Sequence, residues 1–258
     1  MNSRSAWWTL LAAALATAAR LAGDQPEALA ARQILRNAGI EAAFVARIET
    51  AATPDRPAGQ AFSTLFVFEG VVWNYSAEAG TTILGRCPPG DENSPEALRP
   101  LLARIAPPGA VLTVYQQAVT VDNDELMQRQ LSKACVIGCV STLTRVLLKE
   151  GAPDEAGLVM FLFASASQFD PRNVSPLDHS VFVYRRGANW ACIDPRDPTR
   201  TVPLERIAVG AAIDPMLATL ARRFERPLQR SVYFPISAAT LTRLSERLAE
   251  RALPSARR

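Results

Sequence analysis

The chain reads as an α+β protein, on three observations. Its strand-like and helix-like segments fall in separate runs rather than in a regular βαβ alternation. The stretch from Asp178 to Pro195, DHSVFVYRRGANWACIDP, has the pattern of an antiparallel hairpin. Val181 and Val183 alternate with Phe182 and Tyr184, Arg186-Gly187-Ala188-Asn189 supplies the turn, and Trp190 to Ile193 is the return strand. Upstream, Val140, Leu143, Val146 and Leu147 recur at helical spacing up to Glu150, and Gly151 and Pro153 are stop signals. The expected arrangement is that helix packed on an antiparallel sheet containing Leu158–Ala164, His179–Tyr184 and Trp190–Ile193.

Residues 1–19, MNSRSAWWTLLAAALATAA, read as a secretion signal. Arg4 precedes an apolar run from Ala6 to Leu15, and Ala16-Thr17-Ala18 offers small residues for cleavage. The same alanines would also suit an N-terminal amphipathic helix continuing through Leu21, Leu29 and Ile34. With the signal the protein is secreted or periplasmic; without it, cytoplasmic. In neither case is a stable membrane span expected in the mature chain.

Gln25 to Asn37 predicts a helix closed by Gly39, and Ala43 to Ile48 a strand. Thr53 to Gly59, with two prolines and a glycine, is a loop. Phe62–Phe68 and Val71–Tyr75 predict two strands around Glu69-Gly70. Cys87 to Pro95 is a second loop. Ser94 and Pro95 then start a helix to Ile105, stopped by Pro107-Pro108-Gly109. Val111–Tyr115 is a strand, and Asp122 to Gln130 a helix capped by Asp122 or Asn123. Gly138 predicts a break before the helix that ends at Glu150. Ser165 to Leu177, with Pro171 and Pro176, is a polar loop that leads into His179 and could border a cleft. Arg196–Pro203 reads as a loop, Pro215–Phe224 as a helix, Ser231–Phe234 as a strand and Ser237–Ala252 as a closing amphipathic helix.

A hydrophobic content of 48% with 21% charged residues describes a globular protein, and 258 residues suffice for one large domain or two small ones. A net charge of +3 is too small to imply nucleic acid, and none is expected as a partner. Nine arginines against three glutamates between Arg222 and Arg258 suggest a solvated helical face, or a surface for an acidic partner or membrane. Four cysteines, Cys87, Cys135, Cys139 and Cys192, form neither a dense disulfide scaffold nor a Cys/His cluster, so no metal and no cofactor is expected.

His179 is the sole histidine, and the hairpin sets it beside Asp194. A carboxylate in that place holds the imidazole tautomer and stabilises its protonated form. A nucleophile is still required. A helix N-terminus stabilises a thiolate and a neighbouring histidine takes the proton. Cys135 in the first turn gives a helix of about 16 residues by simple spacing, with the small Cys139 four positions on, which would share its face. Cys139 has its own claim, since Gly138 could end one helix and let the next begin with that thiol. Both stay open as nucleophile. Cys192 is assigned to packing and the nucleophile's own N–H to the oxyanion.

The order Cys, His opening a strand, then Trp and Asp-Pro on the next strand resembles the transglutaminase-like branch of the papain-like cysteine enzymes. The resemblance covers about residues 124–200 and is carried by Cys135 or Cys139, His179, Trp190 and Asp194-Pro195. One position departs from it: the aromatic commonly found two residues after the family's histidine is Val181 here. The resemblance implies a papain-like core, a nucleophile helix on an antiparallel sheet and a Cys-His-Asp triad. It implies acyl transfer on a protein or peptide amide, by a peptidase, a glutamine deamidase or a transglutaminase, with bacterial deamidase-type effectors among the relatives. It also implies that Trp190 shields the His–Asp contact and that a glutamine upstream of the cysteine, Gln128 or Gln130, assists at the oxyanion. On this reading residues 20–120 form an N-terminal α/β portion and 121–258 the catalytic portion with C-terminal helices, or the two form one continuous domain. The alternative is a papain-like scaffold without activity, used for binding or assembly. Geometry separates the two: a scaffold would hold neither cysteine within reach of His179.

Overall fold

The structure is a computed structural model and describes residues 25–55, 57–116, 121, 123–127, 134–163, 173–174, 179–206, 214–222 and 228–252. Helix α1 (residues 25–37) leads into β1 (Ala43–Thr50), β2 (Gly59–Phe68), β3 (Val71–Ser76) and β4 (Gly80–Arg86). Then come α2 (Pro95–Leu102), β5 (Val111–Tyr115), a helical turn α3 (124–127) and α4 (Cys135–Glu150). Next are β6 (Glu155–Phe163), β7 (Asn173–Val174), β8 (His179–Arg186), β9 (Asn189–Ile193) and β10 (Thr201–Arg206). Helix α5 (Asp214–Ala221), β11 (Leu228–Ile236) and α6 (Ala238–Ala252) close the described chain. The strands form two antiparallel sheets, in the orders β5-β1-β2-β3-β4-β7 and β10-β9-β8-β6-β11.

Strand alternation sorts the apolar side chains into layers. Phe66, Phe68, Trp73 and Tyr75 of the first sheet join Leu158, Met160, Phe182 and Tyr184 of the second in one buried cluster. The buried faces of α1, α4 and α6 belong to the same cluster, so these helices fill the space between the sheets. The opposite face of the first sheet carries Phe44, Leu65, Val67 and Val72 under Leu98 and Leu102 of α2. The opposite face of the second carries Val159, Val181, Val183 and Trp190 under Leu217 and Leu220 of α5.

Helix α4 is central, and ten of its residues from Val136 to Leu147 are buried. The break expected at Gly138 does not occur: the helix runs unbroken from Cys135, and Gly138 N–H donates to Ala134 O at 2.9 Å. A glycine costs a helix about 1 kcal/mol against alanine, and burial of a Val or Leu returns about 1.5–3 kcal/mol, so packing decides. Thr144 Oγ1 donates to Ala38 O at 3.1 Å and ties α4 to the end of α1.

Three strands escape the sequence pattern. The short run of β4 lies between Gly80 and Gly85, both at positive φ, which masks its β-branched core. β10 occupies part of the segment expected as a loop; its Pro203 is tolerated because the strand pairs on one side only, with a bulge between Pro203 and Arg206. β7 lies in the expected loop ahead of His179 and joins the first sheet, pairing with β4 at Thr81–Val174 and Thr82–Asn173. The expected helix over 122–130 is described only at 124–127, where Asn123 Oδ1 caps Leu126 N–H at 2.9 Å. The signal-like residues 1–19 lie outside the described residues.

The arginines of α6 serve a purpose other than solvation. Arg247 Nη1 donates to Gly39 O at 3.0 Å and Arg251 Nη1 to Arg36 O, tying α6 to carbonyls at the end of α1. Ser237 caps α6 at Thr240 N–H (3.2 Å), and Glu69 Oε1 accepts from Ser237 N–H at 3.2 Å. Among the described residues no helix is long and apolar enough to cross a membrane.

One position fixes how β11 lies on β6. A Cβ at Gly157 would overlap the Tyr233 ring and stand 2.7 Å from the Phe234 carbonyl oxygen. Backbone cannot yield as a side chain can. Gly157→Ala is therefore expected to destabilise the fold by about 2–3 kcal/mol through overpacking. A urea midpoint unchanged from wild type would contradict this.

Candidate active site

The site forms where α4 begins and β8 begins. Sixteen helical residues span about 24 Å at 1.5 Å each, and the eight of β8 about 26 Å. Helix and strand are matched in length, so fixing one end fixes the other. The far end is held firmly: Arg186 Nη2 donates to Gly151 O at 2.6 Å, and Tyr184 Oη to Glu150 Oε2 at 3.4 Å. The near end then sets Cys135 against His179.

The hairpin register brings in the aspartate. Phe182 pairs with Ile193 and Val183 with Cys192. Continued by one residue, the ladder sets Asp194 opposite Val181 and makes His179 its diagonal neighbour, within reach of a polar side chain. His179 Nε2 lies 2.9 Å from Asp194 Oδ2, and His179 Nδ1 lies 3.3 Å from Cys135 Sγ. The three groups form a continuous line from thiol to imidazole to carboxylate. In the neutral state the thiol donates to Nδ1 and Nε2–H to the carboxylate; after proton transfer Nδ1–H donates to the thiolate.

Position separates the two candidate cysteines. Cys135 is the first residue of α4 and is partly exposed. Ala134 provides no side-chain cap and the first turn holds no acidic residue, so no carboxylate there offsets the positive end of the helix dipole at Cys135. Cys139 lies one turn deeper, fully buried in the core between the sheets. Burial pushes its thiol well above the ordinary value, with the neighbouring Cys135, Cys192 and Asp194 adding to the effect. A sequence reading could not choose between them because both share one helical face; in the structure they differ in depth along the helix. Cys192 is buried among Val183 and Trp190, and Cys87 is buried under α2 with its thiol pushed up by burial and by Glu92 and Asp91.

The charges of the site support one another. Burial opposes ionisation of Cys135. The hydrogen bond and charge of His179, a backbone hydrogen bond from Ser180 and the charge of Arg196 outweigh it and bring the thiol below its ordinary value. Burial likewise opposes the imidazolium, but the contacts with Asp194 and Cys135 raise His179 above the usual histidine value. Burial raises Asp194, and its bonds to His179 and Arg196 more than reverse that, leaving it well below the usual carboxylate range. All three shifts run toward the charged forms: thiolate, imidazolium and carboxylate.

Three contributors have no place in the sequence reading. Arg196, expected only as part of a loop, bonds both oxygens of Asp194. Its position two residues after Asp194 is the signal that could have found it, since such a side chain folds back readily in an Asx-type turn. Ser180 acts through its backbone N–H, which no residue type reveals. Tyr75, fully buried on the first sheet, has its phenol raised by burial, by Glu27 and by Cys135. That proximity crosses from one sheet to the other and has no local signature.

Trp190 is buried with Val181, Val183, Cys192 and the apolar face of α5. Gln128 and Gln130, considered for the oxyanion, and most of the loop over 165–177 lie outside the described residues. Among the described residues no group of three or more His, Cys, Asp or Glu side chains is placed to hold a metal ion. Comparisons with protein-family models, with curated proteins and with solved structures return no match to this chain.

Proposed function

We propose that the chain is a cysteine-dependent acyl-transfer enzyme acting on an amide through a thioester at Cys135. The observation that carries the reading is the continuous contact from Cys135 Sγ to His179 Nδ1 at 3.3 Å and from His179 Nε2 to Asp194 Oδ2 at 2.9 Å. The scaffold alternative has a cysteine within reach of His179 against it. The order helix, then antiparallel strands bearing His and Asp, supports the transglutaminase-like core inferred from the hairpin.

In the proposed cycle the Cys135 thiolate attacks the carbonyl carbon of the amide. The backbone N–H of Cys135 is the proposed donor to the developing oxyanion. His179 gives its proton to the departing nitrogen, the C–N bond breaks, and a thioester remains. Water or an amine then attacks the thioester, losing its proton to His179, and the C–S bond breaks to restore the thiolate. Asp194 keeps the imidazole oriented throughout. Ammonia as the leaving group and water as acceptor give a deamidase; an amine acceptor gives a transglutaminase; a peptide bond as substrate gives a peptidase. The hairpin is closer to the transglutaminase pattern than to papain, which directs the proposal to glutamine side chains of a protein or peptide.

Selective alkylation tests the reading without knowledge of the substrate. Iodoacetamide at neutral pH is expected to label Cys135 first, at least tenfold faster than the three buried cysteines, and His179→Ala to remove that advantage. Equal labelling of all four thiols, or fast labelling that survives His179→Ala, would overturn it. Ammonia release, amine incorporation and peptide cleavage then separate the three activities.

A further inference from the structure

The Asp194 carboxylate is shared between two cations. Its Oδ2 receives His179 Nε2 at 2.9 Å and Arg196 Nη2 at 3.2 Å; its Oδ1 receives the Arg196 backbone N–H at 2.9 Å and Arg196 Nε at 3.4 Å. The guanidinium thus grips both oxygens edge-on, the geometry in which an arginine–carboxylate pair is strongest. Arg196 itself is half exposed, and Asp194 is 30% exposed, so the grip is made at the rim of the site.

We propose that Arg196 is a positioning residue of the relay, dividing the Asp194 carboxylate between itself and His179 so that the imidazolium stays acidic enough to release its proton. The inference rests on the acyl-transfer reading, because only a working general acid needs this adjustment. A carboxylate serving one imidazolium alone would hold the proton more tightly, and a tightly held proton is transferred poorly to a departing nitrogen. The guanidinium takes part of that charge and also repels the imidazolium. Replacing the side chain leaves the Arg196 backbone N–H on Oδ1, so the carboxylate keeps its place while its charge is redistributed. Another group that acts on the pair is Cys135 on α4, which raises His179; the buried thiol of Cys139 is itself raised by Cys135, Cys192 and Asp194. Tyr75 faces Cys135 from the first sheet. None of these is a cation, so among the described residues Arg196 supplies the opposing charge.

The single histidine makes the test direct, because the untagged protein has one imidazole signal to follow by NMR. Arg196→Gln is expected to raise the His179 titration midpoint by about half a unit to one unit, the size suited to a half-exposed charge. The same variant should delay the onset of Cys135 alkylation to higher pH, since the thiolate loses a nearby cation. Arg196→Lys, which keeps the charge, should bring both back towards wild type. A midpoint in Arg196→Gln equal to or below that of wild type, with a native thermal melt, overturns the inference. So does an Arg196→Lys variant indistinguishable from Arg196→Gln. Asp194→Asn is the control for the relay: it should lower the midpoint. If it does and Arg196→Gln does not raise it, the inference alone fails. If Asp194→Asn leaves both midpoint and Cys135 reactivity unchanged, the relay itself is wrong and the inference falls with it.

Discussion

Cys135→Ala is expected to abolish turnover while Cys139→Ala retains most of it. The first substitution removes the thiol that lies 3.3 Å from His179, the group proposed to form the acyl intermediate. Removing such a nucleophile lowers turnover on the order of 10⁴-fold or more, to whatever binding and the oxyanion donors alone provide. The fold should be unaffected, because Cys135 stands at the partly exposed start of α4 and not in its buried stripe. Cys139→Ala has the opposite signature. Cys139 is fully enclosed between the two sheets, so loss of its sulfur opens a small void and costs about 1–2 kcal/mol of stability. Rates of ammonia release and amine incorporation, set beside urea midpoints for both variants, give the comparison. Activity surviving in Cys135→Ala and vanishing in a folded Cys139→Ala would reverse the assignment.

Asp194→Asn is expected to keep the fold at neutral pH and to lose activity on the order of 10³-fold. Asparagine fills the same space, but its amide can present N–H to Nε2 and favour the wrong imidazole tautomer, with the proton on the nitrogen that must accept it from Cys135. The same variant changes how stability depends on pH. Asp194 titrates below its ordinary value in the folded state, held there by His179 and Arg196 despite its burial. Its contribution is therefore complete above the unfolded carboxylate value, about 4, and is lost as pH falls through the lower folded value. His179 is raised in the folded state, so its contribution is present below its unfolded value and is lost as pH rises through the folded one. The difference in Tm between wild type and Asp194→Asn should be largest near pH 5–6, where the carboxylate is charged and the imidazole protonated. It should narrow towards both acid and alkali. A difference that is flat from strong acid to pH 9 would show that the two charges do not interact.

The hairpin was written in the sequence almost completely. Alternation from Val181 to Tyr184, a turn at Gly187 and the return through Trp190 determine a local structure, and local structure sets His179 and Asp194 on one face whatever the rest of the chain does. The mixed fold, the helix ending at Glu150 and most strands follow from periodicity for the same reason. The edge strand with Pro203 and the glycine-flanked β4 were not readable, since their pairing partners, not their own residues, make them strands. Gly138 misled because its local cost is visible in sequence while the burial that outweighs it is not. The choice of nucleophile is the clearest division. Cys135 and Cys139 share one face of one helix, and sequence spacing carries no depth. Only the packing of α4 between two sheets, clamped at its far end by Arg186, leaves Cys135 at the rim beside His179 and seals Cys139 inside. Arg196 and Tyr75 join the site for the same reason: electrostatic influence depends on distance in space, and that is settled by burial of the whole core rather than by the order of residues along the chain.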